Sequence, residues 1–135
     1  MSKKALYSLL ALLVAVTMIL SACGPAATET PSAPTVSGSV GIVLPTKDEP
    51  RWIQDETRFK DAFTAAGYNV EILFSQGDSA KEKANVEALI TKGIKVLILT
   101  PQDGAAAAAA AEAAHAAGVK VIAYDRLILN TDAVD

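Results

Sequence analysis

The stretch Val119-Lys120-Val121-Ile122-Ala123-Tyr124-Asp125-Arg126-Leu127 decides how this chain is read. It is an apolar run that ends on an adjacent acid and base. A run of this kind, without strict alternation, implies burial on both faces, as in a parallel sheet covered by helices. Charges do not belong in such a core. Asp125-Arg126 is therefore a charged turn, an internal ion pair, or a pair delivered to a polar ligand.

Working outward, the same grammar recurs upstream. Val40 to Leu44, Val70 to Phe74 and Val96 to Leu99 are short apolar runs. Together with the quoted stretch they predict strands near 39–44, 69–74, 95–99 and 119–123. Helical spacing of Ile53, Phe59, Ala62, Phe63 and Ala66 predicts a helix opened by Asp48-Glu49-Pro50, since acids and an early proline suit a helix N-terminus. Ser79-Ala80-Lys81-Glu82 has the form of a capping box, with Ser79 as N-cap. Asp103 or Gly104 is expected to open a third, alanine-rich helix that lies close to the sheet. Gly67, Gly93 and Gly118 follow the three helices as C-caps. Alternating strands and helices make a doubly wound α/β sheet the expected class. Four strands form part of such a sheet, and the chain stops at Asp135 on what reads as the approach to another. An incomplete N-terminal lobe, residues 39–135, is expected.

The N-terminus has a different texture. Lys3 and Lys4 precede an apolar stretch from Ala5 to Leu20, then Leu20-Ser21-Ala22-Cys23. A basic start, an apolar middle and small residues at the end describe a secretory signal, residues 1–22. The stretch is slightly short for a membrane span, which needs about 20 apolar residues. Leu-Ser-Ala-Cys resembles the bacterial lipobox, and Cys23 is the only cysteine, which excludes an internal disulfide. Lipidation of its sulfur, after export, is expected to anchor the chain to the outer face of the cell membrane. Residues 23–38 are rich in Pro, Ala, Thr, Ser and Gly, and a disordered tether is expected there.

Charge narrows the function. Twelve basic and fifteen acidic residues give a net charge of −3, the opposite of a nucleic-acid footprint. His115 is the single histidine and has no ligand-forming partners at metal spacing, so it reads as a surface residue; no metal or cofactor is expected. G-x-G-x-x-G, G-x-S-x-G and G-x-x-x-x-G-K are all missing, which speaks against an enzyme on this sheet.

In open parallel sheets ligands bind beyond the carboxyl ends of the strands. Those ends deliver Pro45 to Trp52 after the first strand and Ser75-Gln76-Gly77-Asp78 after the second. The third delivers Thr100-Pro101-Gln102-Asp103, and the fourth Tyr124-Asp125-Arg126. Polar and charged groups converging there suit a small polar ligand. Sugar hydroxyls both donate and accept, so carboxylates and guanidinium forks are good partners. Trp52 either packs in the core or stacks on the apolar face of a pyranose, and Asp103 is either a ligand group or an N-cap.

From Val40 to Asp135 the chain resembles the N-terminal lobe of periplasmic sugar-binding proteins of ABC importers, in the xylose-binding and multiple-sugar-binding branch. Arg51-Trp52, the segment Ala88 to Gly104 and above all Gly118 to Ile128 carry the likeness. The resemblance implies sugar contacts at Arg51, Trp52, Asp125 and Arg126, with Asp103 a weaker match and Lys47 a loop neighbour. It further implies a monosaccharide ligand, ABC permease partners, and a second lobe that closes on the sugar. A sugar-responsive repressor shares this fold but needs a basic helix-turn-helix where the lipobox stands. A same-fold receptor for another small ligand remains open, because fold does not settle ligand.

Overall fold

The computed structural model describes residues 38–135; the signal segment, Cys23 and all but the last residue of the tether lie outside them. The described chain runs β1 (Ser39–Leu44), α1 (Pro50–Ala65), β2 (Asn69–Phe74), α2 (Ser79–Thr91), β3 (Val96–Leu99), α3 (Ala108–Ala116) and β4 (Lys120–Ala123). All strand pairs are parallel and the sheet order is β2-β1-β3-β4. The expected doubly wound α/β class holds, and each predicted strand is found within a residue of its predicted bounds.

Alternation along the strands sorts the core into two layers. Val40, Ile42 and Leu44 of β1 and Ile98 of β3 pack with Trp52 of α1, flanked by Phe59 and Phe63. Val43, Leu97, Leu99 and Val121 face the other way, onto Val86 and Leu89 of α2 and Ala110, Ala111 and Ala114 of α3. The chain steps from β1 to β2 in one direction, then crosses to β3 in the other. Right-handed crossovers then put α1 on one face and α2 and α3 on the opposite face. Gly41 lets α2 lie tight on β1, because a Cβ there would stand 2.8 Å from Ile94 Cδ1 and 2.9 Å from Leu89 Cδ1.

Three local expectations are corrected. The N-cap of α2 is Asp78, whose carboxylate accepts from the N–H groups of Ala80 and Lys81, so Ser79 already lies inside the helix. Glu82 is then one position too far along to complete a capping box and turns inward. Regular α3 starts at Ala108 instead of at Asp103 or Gly104. Asp103 does cap the entry, accepting from the N–H groups of Ala105 and Ala106, but the first turn is tight and closes Ala108 N–H onto Ala105 O at 3.4 Å. Finally, β4 is not buried on both faces. Val121 is buried while Ile122 is 44% exposed, because β4 is the sheet edge and no described helix covers its α1 face. Asp135 already runs beside it: its N–H donates to Val121 O at 2.8 Å, and its carboxylate accepts from Val121 N–H.

Candidate functional site

The sheet order reverses between β1 and β3, so their carboxyl ends mark the topological switch point where open α/β sheets bind ligands. Four of the five candidate ligand residues are drawn into contacts with one another or with that edge. Arg51 enters from the first turn of α1, Arg126 from the turn after β4, and Trp52 lies beneath both.

Arg51 and Asp125 form a close ion pair through Nη2 and Oδ1. Asp55, one turn further along α1, lies 3.7 Å from Arg51 Nε, and Tyr124 O–H donates to its Oδ2 at 3.3 Å. The Asp125 hydrogen bond is the main influence that holds the Arg51 guanidinium above its ordinary pKa. The Arg51 side chain is still half exposed and keeps donor edges toward solvent. Asp125 itself sits at φ +64°, and Arg126 N–H donates back across it to Tyr124 O at 2.7 Å. This left-handed turn is unfavourable for most side chains and is tolerated best by Gly, Asn and Asp. It splits the two charges: Asp125 turns to Arg51, while Arg126 Nη1 donates to Pro101 O at 3.1 Å. The acid and base of the sequence are neighbours, not partners.

Trp52 is 1% exposed and belongs to the core layer under α1. Its ring is a platform for cations: the guanidinium carbon of Arg51 stands 4.4 Å from the centroid and that of Arg126 5.5 Å. Such contacts contribute about 0.5–2 kcal/mol each. The core-packing alternative is therefore the one this geometry displays, and the ring orients two guanidinium groups at the edge.

Asp103 is exposed, and its Oδ1 is spent on the two backbone N–H groups at the entry to α3. Lys47 pairs with Glu56 at 3.5 Å and lies over the Phe74 ring. His115 is exposed on α3, away from the edge.

Two residues at this edge escape a reading by motif. Thr100, at the end of β3, is fully buried, and its Oγ1 has no hydrogen-bond partner among the described residues; the same is true of Trp52 Nε1. Glu82 is 1% exposed and accepts from Gln102 N–H at 2.6 Å through Oε2. Burial is the dominant influence and raises its carboxyl pKa, with the Gln102 hydrogen bond and Arg126 acting against it. The signal for Glu82 was present: Glu82, Val86 and Leu89 fall on one helical stripe, and the other two are core.

The description "periplasmic binding protein domain" matches residues 40–135. The multiple sugar-binding periplasmic receptor ChvE of Rhizobium radiobacter is 40% identical over 115 residues, covering 85% of this chain and 32% of the receptor. The multiple sugar-binding periplasmic protein SbpA of Azospirillum brasilense is 37% identical over 122 residues, 90% of this chain and 33% of that protein. Among solved structures, a carbohydrate transporter solute-binding protein from Chloroflexus aurantiacus, in complex with D-glucose, is 82% identical. It superposes with a TM-score of 0.68 over 71% of this chain and 28% of that one. An ABC transporter solute-binding protein from Clostridium phytofermentans with bound β-D-glucose is 36% identical, with a TM-score of 0.70 over 72% and 30%. The chain thus spans about a third of the length of these relatives. The parallel four-stranded sheet, the switch-point edge and this match over residues 40–135 agree: the chain belongs to the periplasmic binding protein domain family.

Proposed function

We propose that this segment is the N-terminal lobe of a lipid-anchored, non-enzymatic substrate-binding component of a monosaccharide ABC importer. The observation that carries the reading is the edge constellation of Arg51, Asp125 and Arg126 over the Trp52 ring, at the switch point of a sheet of this family. Two forked donors and an acceptor carboxylate match adjacent sugar hydroxyls, which both donate and accept. The solved relative at 82% identity, in complex with D-glucose, supports an aldopyranose of the glucose or xylose kind. Arg51 and Arg126 donate to ring and hydroxyl oxygens, Asp125 accepts from a hydroxyl, and Asp103 borders the opening.

Relatives about three times as long supply room for a second lobe that closes over the sugar and presents the closed form to a permease. Closure is driven by contacts that exist only when both lobes touch the ligand. Export through the signal at 1–22, lipidation at Cys23 and the tether at 23–38 then hold the receptor beside its permease, outside the cell membrane. Calorimetric titration of the intact protein with D-glucose, D-xylose, D-galactose and D-ribose tests the reading. Tight binding of at least one is expected. Heat from none of them, with tight binding of an amino acid or nucleoside, overturns it.

A further inference from the structure

We infer that Glu82 is a positioning residue for the Arg126 guanidinium, acting through the peptide unit that joins Pro101 to Gln102. The N–H of that unit, from Gln102, donates to Glu82 Oε2 at 2.6 Å. Its carbonyl, Pro101 O, accepts from Arg126 Nη1 at 3.1 Å. One peptide dipole is thereby held between a carboxylate at its N–H end and a guanidinium at its C=O end. Each charge strengthens the bond at its own end, and the two bonds polarise one another. Pro101 has no N–H of its own, so the Gln102 N–H is the first donor after Thr100 that can anchor this loop.

The position of Glu82 supports a role beyond packing. It shares the buried stripe of α2 with Val86 and Leu89, where an apolar side chain avoids the cost of burying a charge. The groups facing it come from three loops: Arg126 after β4 attracts it, Asp103 after β3 repels it, and Ser75 after β2, whose hydroxyl donates to Leu44 O at 3.4 Å, has the smallest influence. A carboxylate there fixes the height and direction of the β3–α3 loop, and through it the donor edge that Arg126 turns toward solvent. This inference rests on the sugar reading only for the identity of what Arg126 grips.

The test is Glu82→Gln in the intact protein, which keeps the shape and an acceptor oxygen but removes the charge. Nitrogen-15 NMR of the ligand-free protein follows the Gln102 amide and the Arg126 side-chain N–H groups. In the wild type the Gln102 amide is expected to move with pH as Glu82 titrates, and the Arg126 protons to exchange slowly. In Glu82→Gln the Gln102 shift becomes flat with pH and Arg126 exchanges faster. D-glucose binding by calorimetry weakens about fivefold, while thermal stability at neutral pH is equal or higher. Glu82→Asp, one methylene short, loosens Arg126 in the same way and serves if Glu82→Gln does not fold. Unchanged Gln102 and Arg126 resonances, or a lowered melting temperature with unchanged D-glucose affinity, overturn the inference. If the wild type binds no sugar, the sugar reading falls alone, because the ligand-free resonances still decide whether Glu82 holds Arg126.

Discussion

Arg51 and Asp125 stand 74 positions apart in the chain and meet as an ion pair at the carboxyl edge of the sheet. The pair ties the N-terminal turn of α1 to the turn after β4, across the strand pair where the sheet order reverses. It leaves Arg126 free of its sequence neighbour, to be aimed by Pro101 O and the Trp52 ring.

On the proposed sugar reading, Arg126→Ala removes a planar fork whose charged hydrogen bonds are expected to contribute about 2–3 kcal/mol to binding. D-glucose affinity of the intact protein is expected to fall roughly 100-fold by calorimetry. Arg126→Lys recovers little, since an ammonium cannot span two oxygens. Full affinity in Arg126→Ala means the residue is structural.

Asp125 carries two requirements that separate by substitution. Asp125→Asn suits φ +64° and keeps the melting temperature, yet it weakens the tie to Arg51 and lowers sugar affinity. Asp125→Val forces a β-branched side chain into the left-handed region at a cost of about 1–3 kcal/mol. Thermal melts of the two variants beside the wild type check the order. Equal melting temperatures contradict the strain argument.

Gly104 and Gly41 give a graded steric test. A Cβ at Gly104 would stand 2.6 Å from the backbone oxygen of Leu127, next to Arg126, whereas at Gly41 the obstacles are methyl ends of Ile94 and Leu89. Gly104→Ala is expected to cost about 1–3 kcal/mol and to weaken sugar binding by shifting the segment that carries Arg126. Gly41→Ala lowers stability without moving affinity. Denaturant melts and calorimetry on both variants measure the contrast.

Trp52→Ala opens a large hole in the α1 layer and is expected to cost about 3–5 kcal/mol. Trp52→Phe costs clearly less, because it keeps a ring and removes the Nε1 that has no partner among the described residues. It still weakens sugar binding, since phenylalanine is a poorer platform for Arg51 and Arg126. Chemical denaturation ranks the two variants. An intact affinity in Trp52→Phe argues against the platform role.

The pH dependence of stability has a definite sign at Glu82. Its folded pKa is raised by burial, so its stabilising contribution is present below the unfolded pKa and lost as pH rises through the folded one. Glu82→Gln is neutral throughout and is expected to flatten that part of the profile. Melts from about pH 4 to pH 8 on both proteins show whether the difference closes at the acid end.

Much of this was legible in the linear chain. Apolar runs bounded by glycine and proline specify where strands lie, because burial and backbone conformation are local demands; the predicted strands match for that reason. The candidate residues were legible as a set because a parallel sheet brings every strand's carboxyl end to one edge. The roles within the set were not. Asp125-Arg126 reads as a pair, yet the left-handed turn at Asp125 sends the two side chains to different partners. Trp52 reads as core or as a stacking surface for a pyranose, and the structure buries it in the core with two guanidinium groups over its ring.

Local chemistry in the sequence therefore determined the element order, the parallel class and the edge that gathers the charges. Only the tertiary structure decided which charge meets which. It set Asp125 on Arg51, laid two guanidinium groups over one buried indole, and turned Glu82 from an apparent cap into a buried anchor one peptide away from Arg126. Those pairings depend on distances between loops far apart in the chain, and sheet register and helix packing set them.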